Sequence, residues 1–383
     1  MKEKNFYMIA KTMYGLENIL ANELKKIGAQ NVKVLNRAVK FQGDKGFMYK
    51  ANLNLRTALR ILKPIAYFQA HNENELYKNV CKIDWTKLFN LNCSFATNAT
   101  TNSEVFQHSK YASLILKDGI VDVFRKKYNK RPYVDPKDPD ISVNLHIDKH
   151  TCTISLDSSG ISLHKRGYKK RNVIAPINEV LAAGLILLSD WNKKSNFHDP
   201  MCGSGTILIE AAMIANNIPA NIFRKKFSFQ KWKDFEPLLW EKIKDNSLNK
   251  EIQYLGKITG CDDNEETIKI AKFNIENSLL SENIFIKKTD FFKNKIEQNT
   301  FVIFNPPYGI RINKNIDDFY IKIGDTLKNK YKNCTVWIIS SDIEKMKYVG
   351  LKPSKKIKLL NGQLECSFRK YEIYEGSKKR KLI

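Results

Sequence analysis

Cysteine pairs at metal-binding or redox spacing are missing from this sequence. Cys81, Cys93, Cys152, Cys202, Cys261, Cys334 and Cys366 are scattered and odd in number, and none forms a C-x-x-C pair. That pattern speaks against a disulfide framework and against a zinc site. Long apolar runs are missing too: nothing approaches the roughly 20 residues that cross a bilayer. The stretch behind Met1-Lys2-Glu3-Lys4-Asn5 is too short for a signal peptide. A cytoplasmic protein without membrane contact or metal is therefore expected. There is no internal repeat and no low-complexity block. Acidic residues are scarce beside basic ones, 40 against 65, for a net charge of +25. Residues 1–166 hold 27 Lys and Arg against 15 Asp and Glu, and residues 167–383 hold 38 against 25, so no basic tail explains the excess. Charge spread over both halves suits a polyanionic partner. A general Lys and Asn bias in composition is the other source of such an excess.

What is present is ordinary globular material. The chain is 383 residues long, 43% hydrophobic and 11% aromatic, enough for two or three domains with a real core. Over residues 1–69 the spacing predicts a strand at Phe6–Ala10, a helix carrying Leu16, Ile19, Leu20, Leu24 and Ile27 up to Gly28, and strands at Val32–Leu35 and Ala38–Gln42. A helix around Phe47–Ala58 and a strand near Ile65–Gln69 complete a β-α-β-β-α-β order, that of a ferredoxin-like fold. Residues 70–165 read as a second α/β unit, with a strand at Ser94–Thr100, a helix at Ser109–Tyr128 and a strand pair at Ile141–Ile147 and Thr151–Asp157. The basic stretch Lys165–Arg171 reads as a linker, followed by an apolar helix at Ala175–Leu188. From Asn196 onward strands alternate with helices and close on a hairpin about Asn361-Gly362. That alternation predicts an α/β, Rossmann-like, mainly parallel sheet over residues 166–383, which binds ligands at the carboxyl ends of its strands.

The chemistry-bearing residues fall at those ends. Asp199-Pro200-Met201-Cys202-Gly203-Ser204-Gly205-Thr206 joins a strand to a helix, and Gly203 and Gly205 let the backbone approach a ligand. Leu208 stands where a dinucleotide fingerprint needs its third glycine, and no Gly-Lys-Ser/Thr makes a phosphate loop. Asp199 ahead of the turn suits an ammonium group. Asp262 ends the next strand, where a carboxylate accepts from ribose hydroxyls, and Asp290 ends the third, where it can accept from an adenine amino group with Phe291 over the ring. Each acid alone reads as a helix cap; three successive strand-end acids match the ammonium, ribose and adenine of S-adenosylmethionine.

Asn305-Pro306-Pro307-Tyr308 follows the fourth strand. An exocyclic amine on a base is a poor nucleophile, because its lone pair is conjugated with the ring. The Asn305 side-chain oxygen and the Pro306 carbonyl can hold both amine hydrogens and aim the lone pair at a methyl sulfonium, while Tyr308 stacks on the flipped base. No strong general base is needed, since the amine loses its proton after transfer.

With these motifs in place, the chain resembles the THUMP-domain class I RNA methyltransferases of the bacterial large-subunit (23S) rRNA guanine-N2 type. The resemblance runs through Leu156–Gly160, Ser162–Tyr168 and Ala175-Pro176-Ile177-Asn178-Glu179. It implies a ferredoxin-like domain at 1–69, a THUMP RNA-binding domain at 70–165 and a methyltransferase domain at 166–383. It also implies Asp199, Gly203, Gly205, Asp262 and Asp290 as cofactor contacts, with Pro176 and Asn178 as further wall residues, and Asn305, Pro306 and Tyr308 as the base clamp. Some relatives carry a second methyltransferase domain; this chain ends at Ile383 without one, so no second modification is expected. Guanine and ribosomal RNA rest on the resemblance alone, and the oligomeric state is not set by the sequence.

Phe223–Trp232 interleaves aromatic and basic residues. It reads either as an RNA-facing insertion with Arg224 and Lys226 on phosphates, or as a cover with core-facing aromatics. His146 and His150 lie on a strand pair, which disfavours a metal site. Lys378–Lys381 reads as a solvated tail. Three other functions fit part of the pattern: a transfer-RNA guanine-N2 methyltransferase, a DNA adenine-N6 or cytosine-N4 methyltransferase, and a non-catalytic RNA-binding assembly factor.

Overall fold

The computed structural model describes residues 5–173, 176–307 and 316–375. Those residues fall into two compact units, one drawn from Met1–Thr12, Leu20–Lys165 and Arg224–Asn249, the other from Met13–Ile19, Arg166–Phe223 and Lys250–Ile383.

The first unit is built on one seven-stranded sheet. Its strands are β1 (Phe6–Lys11), β2 (Gln30–Leu35), β3 (Ala38–Gly43), β4 (Arg60–Gln69), β5 (Phe95–Asn102), β6 (Ile141–Asp148) and β7 (Thr151–Asp157), in the order β2-β3-β1-β4-β7-β6-β5. The two units of sequence pattern thus share a sheet: β4 pairs with β1 through Ile9↔Leu62 and with β7 through Leu62↔Asp157. Proline removes a ladder donor from an interior strand, and Pro64 is accommodated where the β4–β7 register shifts between Pro64 and Ala66. Helices α1 (Glu17–Ile27), α2 (Lys45–Asn54), α3 (Glu73–Cys81) and α4 (Ser109–Tyr128) complete the fold. The expected helix through Ala58 stops at Asn54, because Leu55 turns to extended backbone. Helix α3, capped by the Asn72 side chain on Glu75 N–H, is not foreseen by the sequence reading.

The Phe223–Trp232 segment takes the second of its two readings. Phe227 and Phe229 are buried, and Phe229 stacks on Tyr49 at 4.4 Å with Trp240 at 5.3 Å. The Arg224 guanidinium donates to four main-chain carbonyls: Ser162 (3.1 Å) and Lys165 (2.8 Å) from Nη1, Ser159 (3.2 Å) and Ile161 (2.7 Å) from Nη2. Lys226 pairs with Asp138 at 2.7 Å. The segment is a cover with core-facing aromatics, and Arg224 does not present its charge to phosphate. It continues into α7 (Pro237–Leu248).

The second unit has the sheet order β10-β9-β8-β11-β12-β14-β13, with β8 (Phe197–Asp199), β9 (Ile258–Asp262), β10 (Ile284–Lys288), β11 (Phe301–Phe304), β12 (Thr335–Ser340), β13 (Lys355–Asn361) and β14 (Leu364–Glu372). Strands β8 to β12 are parallel, and β14 and β13 add an antiparallel edge. Helices α5 (Glu179–Leu188), α6 (Thr206–Ala215), α8 (Glu265–Asn277) and α9 (Ile316–Lys330) connect or flank them. Asn361 pairs with Leu364, so the hairpin turns on Gly362 (φ +65°) and Gln363. The chain reverses its strand order between β8 and β11, and that reversal opens a crevice at the carboxyl ends of the strands.

The basic stretch at 165–171, read as a linker, spans the boundary between the two units and is partly buried: Lys165, Lys170 and Arg171 are exposed. Arg166 and Tyr168 are fully buried: Arg166 Nε and the Tyr168 hydroxyl both donate to Glu210 Oε1, at 3.2 and 2.9 Å. A buried cation is tolerated only with a partner of this kind, and nothing in the sequence sets Arg166 apart from its exposed basic neighbours.

Candidate active site

A cavity of about 660 Å³ occupies the crevice, its walls including Asp199, Gly203, Asp262, Asp290, Asn305 and Pro306. The first strand delivers Asp199, 1% exposed, whose Oδ1 accepts the Met201 N–H at 3.1 Å. The turn that follows is held by Cys202 N–H on Cys261 O (2.9 Å) and Gly205 N–H on Cys202 O (2.8 Å). Gly203 and Gly205 have φ of +53° and +79°. A β-carbon at Gly203 would meet nothing within 4 Å, so the left-handed backbone and an open approach from the cavity, not crowding, account for glycine there. At Gly205 the nearest group would be Ala271 at 3.5 Å; this residue opens α6 rather than lining the cavity.

Asp262 accepts from Gly203 N–H through Oδ2 (3.1 Å) and from Asn264 N–H through Oδ1 (3.2 Å). Helix α8 is capped by Asn264, not Asp263, through Thr267 N–H. Asp290 Oδ1 accepts from Phe292 N–H at 2.9 Å. Phe291 is nearly all core, packed on Phe304 and Tyr331, each at 5.5 Å. The more exposed ring on the same wall is Phe292.

Burial dominates the electrostatics. It pushes the Asp199 carboxyl well above its ordinary range, with the nearby Asp262 charge adding to the effect, and it raises Asp262 as well. Among the described residues the lining holds five acids, Asp199, Asp262, Asp263, Glu266 and Asp290, and no Lys, Arg or His. An acid-only cavity in a protein of net charge +25 fits a cationic ligand and repels a phosphate.

Asn305 and Pro306 follow β11 directly and bring the second expected motif to the same cavity, with Pro307 beside them. Tyr308 lies outside the described residues. Pro176 lines the cavity; Asn178 does not, because its Oδ1 caps α5 on Val180 and Leu181 N–H. Sequence reasoning missed the wall residues Asn172, Val173 and Phe319, and also Asn274. Fully buried on α8, Asn274 accepts from Lys170 and Arg171 N–H (3.1 and 3.2 Å) and donates to Arg171 O and Ser204 O (2.9 and 3.2 Å). His198, beside Asp199, is buried between Thr259 Oγ1 (2.8 Å) and Asn294 Nδ2 (3.1 Å); burial lowers its pKa to about 4, so it is a neutral core histidine. Among the described residues no group of His, Cys, Asp or Glu could hold a metal ion, and no helix is long and apolar enough to cross a membrane.

A parallel sheet reversed at its centre, a glycine turn with strand-end acids and an Asn-Pro-Pro loop at one crevice define the methyltransferase class. Comparison with known proteins narrows the class. Residues 166–370 match the RMKL-like methyltransferase domain, residues 7–62 the RlmL ferredoxin-like domain and residues 70–157 the THUMP domain. The chain belongs to the RlmL-like family of THUMP-containing, S-adenosylmethionine-dependent RNA methyltransferases. It is 37% identical over 366 residues to a Synechocystis protein named "Putative RNA methyltransferase slr0064", covering 94% of this chain and 95% of that one. Among solved structures it is similar to SMU.472, described as "a putative methyltransferase complexed with SAH" (TM-score 0.87, 29% identity, 98% of this chain and 100% of the other). It is also similar to a Listeria monocytogenes protein described as a "predicted N6-adenine-specific DNA methylase" (TM-score 0.86, 28% identity, 97% of each chain).

Proposed function

We propose that this chain transfers a methyl group from S-adenosylmethionine to the exocyclic N2 amine of a guanine in 23S ribosomal RNA. The observation that carries the reading is a cavity whose described lining holds five acids, with the Asn305-Pro306-Pro307 loop on its wall. The residues present fit the cosubstrate. Asp199 supplies a counter-charge for an ammonium group, Asp262 a pair of acceptor oxygens for ribose hydroxyls, and Asp290 an acceptor at the adenine end. Gly203 leaves room for close approach. When bound, S-adenosylmethionine supplies an electrophilic methyl on a sulfonium.

The remaining work is positional and belongs to the chain. Asn305 Oδ1 and the Pro306 carbonyl accept the two amine hydrogens, which turns the nitrogen lone pair out of conjugation and toward the methyl carbon. Tyr308 is assigned as the stacking platform from the motif alone. Holding both reactants in line converts a bimolecular reaction into an effectively unimolecular one, and such orientation accounts for a large share of a barrier of this kind. The amine loses its proton after transfer, so the step needs no strong general base.

The THUMP domain at 70–157 favours RNA over DNA, and the resemblance in sequence favours guanine N2. Adenine N6 is the second reading, because the Listeria relative is named for that amine and the same loop serves it. The test is to incubate the protein with labelled S-adenosylmethionine and unmodified 23S rRNA, tRNA and DNA, then identify the labelled nucleoside. N2-methylguanosine in the 23S fraction supports the proposal; N6-methyladenine in any pool, or label in tRNA alone, replaces it.

A further inference from the structure

The chain from Arg166 to Asn178 runs past the cavity and gives it four wall residues, Asn172, Val173, Pro176 and Ile177. Its near end is fastened to α6 through Glu210, which accepts from Arg166 and Tyr168, and to α8 through Asn274. Its far end is fastened by Asn178, which caps α5. The wall residues themselves lie outside strand and helix, so their backbone keeps its shape only as well as such ties allow.

A further side chain ties the near end to the far one. Lys169 Nζ donates to Ile177 O at 3.0 Å, and Glu179 Oε1, in the first turn of α5, stands 3.5 Å from the same nitrogen. Both side chains are nearly sealed from water, 8% and 7% exposed. Lys169 is not itself a wall residue; it meets the wall through a main-chain carbonyl. A lysine in such a place needs a reason. Taking an ammonium out of water is costly, and apolar side chains often replace a buried ion pair with no loss of stability. Stability alone therefore does not account for the pair. The bond to Ile177 O has a use of its own, because it fixes where a wall residue stands.

We propose that Lys169 is a positioning residue for S-adenosylmethionine: by holding the Ile177 carbonyl it sets Pro176 and Ile177 where they meet the bound cosubstrate. It touches no part of the ligand and acts through the wall alone. A wall set in place beforehand spares the ligand the cost of ordering it, so the effect falls on affinity. Glu179 is the counter-charge that lets the ammonium stay buried. The proposal rests on this cavity being the cosubstrate site.

The test is isothermal calorimetry of the full-length protein with S-adenosylmethionine, beside thermal unfolding without ligand. Lys169→Met keeps an unbranched stem and removes the donor. It is expected to lower affinity about ten-fold, as loss of one hydrogen bond from a charged group does. It is also expected to lower the unfolding midpoint, since Glu179 is left buried and unpaired. The double variant Lys169→Met, Glu179→Met removes both charges. Its midpoint is expected to return toward wild type while affinity stays about ten-fold low, because Ile177 O still lacks its donor. Affinity that returns with the midpoint, or wild-type affinity in Lys169→Met, overturns the positioning role. Asp262→Ala, measured in the same series, tells two failures apart. If it weakens binding and Lys169→Met does not, the cavity reading stands and the role of Lys169 falls; if neither weakens binding, both fall.

Discussion

Asp262 accepts the backbone N–H of Gly203 at 3.1 Å, so the carboxylate at the end of β9 also holds the glycine turn that follows β8. One side chain therefore sets the turn's shape and faces the cavity. Asp262→Ala is expected to weaken S-adenosylmethionine binding ten-fold or more by isothermal calorimetry, since hydrogen bonds to a charged group contribute about 1.5–3 kcal/mol. Asp262→Asn keeps an acceptor for Gly203 and is expected to fall between the two. Equal affinities for all three proteins would remove Asp262 from the cofactor site.

Asp199 gives the binding a pH dependence with a definite sign. Burial, and after it the Asp262 charge, hold its carboxyl well above the ordinary 3.8. Below that raised value Asp199 is neutral and offers an ammonium no counter-charge; above it the carboxylate is ionised. A cationic ligand favours the ionised form, so affinity rises with pH through the raised pKa and binding releases a proton. Stability of the unliganded protein runs the other way. Between 3.8 and the raised value the native state keeps a proton that the unfolded chain has released, so this group's contribution falls as pH rises. Calorimetry in buffers of different ionisation enthalpy checks the proton release, which Asp199→Asn is expected to abolish.

Asn274 connects the 170–171 backbone, next to wall residues Asn172 and Val173, to Ser204 in the glycine turn. Asn274→Ala leaves buried amide and carbonyl groups unpaired, at a cost of about 2–3 kcal/mol in stability. Its expected kinetic signature is a KM for S-adenosylmethionine raised about ten-fold with a smaller change in kcat. Asn274→Asp can still accept from Lys170 and Arg171 but cannot donate to Ser204, and is expected to recover only part of the loss. A uniform fall in kcat at unchanged KM would show that Asn274 supports the fold alone.

Arg224 gives a prediction of the opposite kind. Its four carbonyl contacts make it a fastener of the 159–165 chain. Arg224→Lys cannot reproduce the planar fork and is expected to lower stability by about 2 kcal/mol in urea unfolding. The salt dependence of RNA binding by the folded variant is expected to remain as in wild type; a reduced slope would return Arg224 to the phosphate-binding set.

The strand-end acids were legible in the sequence because strand and helix patterns alternate there, and a βα turn puts its chemistry at the carboxyl end of the strand. Asn305-Pro306 was legible for the same reason. Asn274 was not, since an asparagine in a helix interior reads as surface until the loop it clips is known. The burial of Arg166 was missed and Arg224 left open because basic residues look alike in sequence whether they meet water, phosphate, a buried carboxylate or main-chain carbonyls. The shared sheet was hidden by Pro64, which broke the pattern of β4 and let its first half pass as loop.

The most direct measurement is single-turnover methyl transfer by Asn305→Ala beside its affinity for S-adenosylmethionine. Asn305 faces the cavity from the loop after β11, while the acids assigned to the cofactor stand on β8, β9 and just past β10. The expected result is cofactor affinity within about three-fold of wild type and transfer slower by about 100-fold or more, the loss of an orienting contact made to the amine. Transfer at the wild-type rate, or affinity and transfer lost together, would contradict a division of this cavity into a cofactor half and an amine clamp.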